Sequence, residues 1–159
     1  YWAHGHPKHH SNEDDGQIGC VLNSLYNRDP MSHGHINFTR CGLPIDVQKR
    51  IGEKFWGSPD TVDAIGDYTP TNIYKMKRLQ WVVARKELHD MLGICSWTAP
   101  WEVSPLREKG YIGDIEMESK VFRAVTGIEM TQDDLDKAGL RAFILHDASA
   151  QEPQPPSGS

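Results

Sequence analysis

The chain has 159 residues, of which 38% are hydrophobic and 25% charged, with a formal net charge of -5. That length holds one domain with a real core, although the apolar share lies below the roughly 45–50% of globular chains. An acidic balance without any dense Lys/Arg block argues against a general nucleic-acid binder, and no apolar run nears the roughly 20 residues of a membrane span.

No charged-then-apolar leader opens the chain, so nothing in it calls for secretion. Its three cysteines, Cys20, Cys41 and Cys95, are too few and too widely spaced for a disulfide framework, which makes a reducing, cytoplasmic setting the default. The chain opens "YWAHGHPKHH" without an initiator Met and closes "QEPQPPSGS", a tail with no apolar pattern. Both ends read as cuts or appended material, so a piece of a larger protein is expected.

Residues 1–19 form a polar, His-rich lead-in with loop composition. "VLNSLY" at 21–26 can start a short helix, and "NRDPMSHGHINFTRCGLP" is an irregular loop with Pro and Gly punctuation. "PIDVQKRIGEKFWG" predicts a helix from Pro44 to Gly57, with Val47, Ile51 and Phe55 as its apolar stripe. "SPDTVDAIGDY" is a turn or short helix. The longest helix is predicted over 71–92, with Ile73, Met76, Leu79, Val83, Ala84, Leu88 and Met91 on one half of its surface. Lys75, Arg78, Arg85, Lys86 and His89 fall mostly on the other half.

An aromatic, Pro-containing loop follows Cys95. A further helix is expected over 114–126, carrying Ile115, Val121, Phe122 and Val125 and stopped by Gly127. In "MTQDDLDKAGLRAFIL", Thr131 is the N-cap and Asp134, three residues on, is a weaker form of the capping-box partner. Leu135, Leu140, Phe143 and Ile144 supply the buried side. No strand pattern or internal repeat stands out. The expected fold is all-α, an irregular multi-helix domain with long loops over 20–146, followed by a disordered tail at 147–159.

"HDMLGIC" at 89–95 ends the longest helix with an acid, a glycine and a thiol. Gly93 can take a positive φ and reverse the chain, which puts Cys95 on a turn. A thiolate there can ligate iron; equally, a lone cysteine packs well in a core. With only two other cysteines, Cys95 can be at most one ligand of a cluster held partly from elsewhere. Arg28, Asp29, His33 and His35 crowd one loop, "NRDPMSHGH". A histidine there can transfer protons or chelate a metal, or simply be a surface residue. Trp81, Trp97 and Trp101 flank the 90–95 turn and can wall a dry cavity or pack as ordinary core. Gly-rich phosphate loops, CxxC pairs, GxSxG and HExxH are absent from the sequence.

Taken as an ordered set, three stretches resemble the C-terminal region of the aldehyde:ferredoxin oxidoreductase family of tungsten- or molybdenum-pterin enzymes. They are "LYNRDPMSHGHINF", "VARKELHDMLGICSW" with its DxxGxC turn, and "VFRAVTGIEMTQDDLDKAGLRAFILH". The resemblance implies that Cys95 is a ligand of a [4Fe-4S] cluster, and that Asp90 contacts one of two pterins holding the metal. It also implies cofactor-binding roles around Gly93, Arg28 and Asp29, with His33 or His35 moving protons during aldehyde oxidation.

Ferredoxin would take the electrons, a small aldehyde would be the substrate, and the rest of a parent enzyme would complete the site; a homo-oligomer stays open. The family's C-x-x-C-x-x-x-C run is absent from this chain, so the chain is expected to be silent alone. The alternatives are a relative acting on coenzyme A thioesters and a non-catalytic helical metal-binding or interaction module using the His-rich N-terminus.

Overall fold

The computed structural model describes residues 2–3, 6–7, 17–18, 21, 43–62, 70–94 and 102–150. The fold is all-α. Its helices are α1 (Ile45–Trp56), α2 (Ile73–Leu92), α3 (Met117–Thr126) and α4 (Gln132–Ala150), with 3₁₀ turns at Pro59–Thr61 and Arg107–Lys109. Extended pairing is slight. Two residues of the lead-in, Trp2–Ala3 (β1), pair antiparallel with His6–Pro7 (β2), and Val103 bridges Ile112.

Local chemistry sets the helix ends. Pro44 precedes α1 and its carbonyl accepts from Val47 N–H; Asp46 near the start and Lys54 near the end suit the helix dipole. Asn72 caps α2, its side chain accepting from the N–H groups of Tyr74 and Lys75 at 3.0 and 2.9 Å. The predicted capping box opens α4: Asp134 N–H donates to Thr131 Oγ1, and Thr131 N–H donates back to Asp134 Oδ2, each at 3.1 Å. α4 runs past His146, where the helical domain was expected to end, to Ala150.

Two apolar clusters meet at Trp81. Val47, Ile51 and Trp56 form one, with Tyr111 and Ile112 against it; Ile18, Val82 and Val83 form the other, with Leu140 and Phe143 against it. α2 and α4 make the main helix–helix contact. Gly139 permits it, because a Cβ at that position would lie 2.1 Å from the Ala84 carbonyl oxygen.

The apolar stripes differ from expectation in every helix; in α4 Ile144, expected on the buried side, is 60% exposed. In α1 Trp56, rather than Phe55, is the buried aromatic. In α2 Ile73 and Met91 are exposed, at 63% and 52%, while Lys75, Arg78, Arg85, Lys86 and His89 are buried. In α3 Val125 is exposed and Glu118 is the buried residue. Polar partners make that burial possible: Arg85 and His89 meet Glu118 and Asp136 of other helices, Arg78 donates to the Thr61 carbonyl, Lys75 to Gln17, and Lys86 to Asp90 on its own helix.

Candidate functional site

α2 ends as a Schellman motif. Gly93 sits in the left-handed region at φ 68, its N–H directed to the Asp90 carbonyl, while Ile94 N–H donates to the His89 carbonyl at 2.9 Å. The positive φ expected of Gly93 is therefore present, and Cys95 stands two residues further along the sequence. Asp90 lies on this last turn with its side chain 36% exposed, and Lys86 Nζ donates to its Oδ1 from one turn back. A half-exposed carboxylate at a helix end is an acceptor of the kind that the N–H edge of a pterin requires.

Beneath this turn lies a buried charge cluster. The guanidinium of Arg85 forks onto Asp136, Nε to Oδ1 at 2.6 Å and Nη2 to Oδ2 at 3.2 Å. Its Nη1 donates to Glu118 Oε2 at 2.7 Å and Nη2 also donates to the Ile115 carbonyl at 2.7 Å. The other oxygen of Glu118, Oε1, stands 2.9 Å from His89 Nε2. Arg85 lies 4.9 Å over the Trp81 ring, and Arg78 lies 5.4 Å over Trp56 while donating to the Thr61 carbonyl. Trp81, expected either as a cavity wall or as ordinary core, packs against both apolar clusters and is also a platform for the charge cluster, edge-on to Trp56 at 5.4 Å.

Glu102 is fully buried near these cations, yet neither carboxylate oxygen has a hydrogen-bond partner among the described residues. Burial pushes its carboxyl up to about 7, against the pull of its own backbone N–H and of Arg78 and Arg85, and with the help of the negative charge of Glu118.

Among the sequence-derived site residues, Asp90 and Gly93 are placed on one turn. Arg28, Asp29, His33, His35 and Cys95 lie outside the described residues, as do Trp97 and Trp101. Among the described residues no group of three His, Cys, Asp or Glu side chains could hold a metal ion. Arg85, His89, Glu102 and Glu118 escaped the sequence reading. One signal was present: Arg78, Arg85 and His89 recur at intervals of seven and four, the same spacing as a core stripe.

The family model described as "Aldehyde ferredoxin oxidoreductase, domains 2 & 3" matches residues 31–149. The chain belongs to the aldehyde ferredoxin oxidoreductase family. No solved structure matches it. The matched stretch takes in α1, α2 and α3 whole and α4 nearly to its end. It contains His33, His35, Asp90, Gly93 and Cys95, whereas Arg28 and Asp29 precede it. This aldehyde ferredoxin oxidoreductase-type domain has, among its described residues, no helix long and apolar enough to cross a membrane.

Proposed function

We propose that this domain forms one side of a tungsten- or molybdenum-pterin site, in an oxidoreductase that converts an aldehyde and water into a carboxylic acid. A [4Fe-4S] cluster, when bound, would supply the path for the two electrons to ferredoxin. Family membership supports the reaction class. The observation that carries the site is the end of α2, where Asp90 is presented on the final turn and the αL residue Gly93 turns the chain two positions before Cys95 in the sequence.

When bound, the metal–pterin group supplies the two-electron chemistry. The chain's own residues bind and orient. The Asp90 carboxylate would accept hydrogen bonds from a pterin edge, and Lys86, which donates to its Oδ1, would keep that carboxylate oriented. The Cys95 thiolate would be one cluster ligand; with Cys20 and Cys41 not assigned to the cluster, the other three positions of a four-cysteine cluster fall to other residues. His33 or His35 takes up or returns the proton at the substrate oxygen, which typically contributes about 10²–10⁴-fold in rate.

The test is cysteine replacement in the cofactor-loaded enzyme. Cys95→Ser should lose cluster iron, because a hydroxyl is a poorer iron ligand than a thiolate, while Cys20→Ser and Cys41→Ser should keep it. Full iron and an unchanged reduced-cluster EPR signal in Cys95→Ser would end this reading.

A further inference from the structure

We propose that Glu118 is a positioning residue for Asp90: by holding the His89 ring it fixes the last turn of α2 and so the direction in which Asp90 faces its cofactor. This rests on the reading of Asp90 as the cofactor-facing acid.

The bonds run in sequence from one helix to the next. Asp136 on α4 takes the fork of Arg85, which also binds the Ile115 carbonyl. Arg85 holds one oxygen of Glu118, and the other oxygen meets His89. Both partners of Glu118 lie on α2, one turn apart, and all three side chains are at most 1% exposed. The His89 carbonyl then receives Ile94 N–H, so the residue gripped by its ring also anchors the chain reversal.

Helix ends ordinarily open with little free-energy cost, and Asp90 sits next to His89 on such an end. A buried ion pair serving stability alone would gain as much from apolar residues of similar volume. A carboxylate that spends its two oxygens on residues 85 and 89 fixes the rotation of that turn, which apolar packing would leave looser.

Backbone hydrogen exchange on the 159-residue chain tests the grip. In Glu118→Ala the amides of Gly93 and Ile94 should exchange at least about ten times faster, beyond any change at Ile51 in α1, because the opening is local. Glu118→Gln should restore protection, since its amide can still accept from Arg85 and donate to the imidazole. If Glu118→Ala does not fold, His89→Leu, which leaves the Arg85–Glu118 pair intact, should show the same local loss. Equal acceleration at Ile51 and Ile94, or none at Ile94, overturns the proposal.

In the holoenzyme, Asp90→Asn and Glu118→Ala should both alter the EPR signal of the metal–pterin centre, with Glu118→Gln close to the parent. If Asp90→Asn leaves the signal unchanged, the functional reading of Asp90 fails, whatever the exchange rates. If Asp90→Asn alters it and Glu118→Ala does not, the positioning inference alone fails.

Discussion

Gly139 of α4 stands against Ala84 of α2 so closely that any side chain at 139 would strike the Ala84 carbonyl, with a Cβ only 2.1 Å from its oxygen. The obstacle is backbone, so it cannot rotate away. Gly139→Ala should therefore push α4 off α2, although alanine is the better helix former by about 1 kcal/mol. Overpacking of this kind costs about 1–3 kcal/mol, and the loss should show as a lower urea midpoint with an unchanged slope. A midpoint equal to that of the parent would mean that the helices do not approach this closely.

The capping box of α4 makes a smaller, cleaner case. Thr131 Oγ1 accepts from Asp134 N–H, and the Asp134 carboxylate accepts from both the N–H and the hydroxyl of Thr131, which holds the carboxyl below its usual range. Thr131→Ala should destabilise by about 1 kcal/mol, and Thr131→Ser should restore most of it. Thermal unfolding of the three proteins decides this, and equal midpoints for all three would refute the cap.

Features set by near neighbours in the chain were legible in the sequence. Gly57, Gly93 and Gly127 stop their helices in the left-handed region, and Thr131–Asp134 opens the last one. The buried face of α2 was not legible. Hydrophobic periodicity assigns Arg78, Arg85 and His89 to solvent because it cannot see Glu118 and Asp136, which lie 33 and 51 residues beyond Arg85. Glu118 was hidden for the same reason, in a helix whose apolar Val125 faces outward. The DxxGxC turn exposed Asp90 and Gly93, since a glycine after a helical pattern is a local signal. Cys95, the Arg28–Asp29 pair and the histidines His33 and His35 lie outside the described residues.

Removing one partner from the buried cluster should be far worse than removing two. Arg85→Leu takes the guanidinium away from the buried Glu118 carboxyl, which then keeps His89 as its side-chain partner among the described residues, and strips Asp136 of its fork. Breaking a buried pair this way costs about 3–5 kcal/mol, whereas apolar replacement of both partners is often neutral. Arg85→Leu should unfold at much lower urea, and Arg85→Leu/Glu118→Leu should recover a large part of the loss. A double variant as unstable as the sum of the two single ones would show that the pair is not coupled.

Glu102 predicts an unusual pH dependence. Its carboxyl rises from 4.5 in the unfolded chain to about 7 in the folded one, so between those values the folded state binds more protons. Stability linked to this group is therefore full below pH 4.5, falls as pH rises towards 7, and stays low above it. The difference corresponds to about 3 kcal/mol at about 1.4 kcal/mol per pH unit. Arg78 and Arg85 limit the loss by their positive charge, and Glu118 adds to it. Glu102→Gln removes the titration while keeping a neutral group of the same size. At pH 4 the variant and parent should be about equally stable, and at pH 8 the variant should be the more stable. Asp114 and Asp134, whose carboxyls are held below their usual range, lose their contributions as pH falls, but they do so in both proteins and cancel in the difference. Parallel stability curves for the two proteins from pH 4 to 8 would show that Glu102 does not take up a proton on folding.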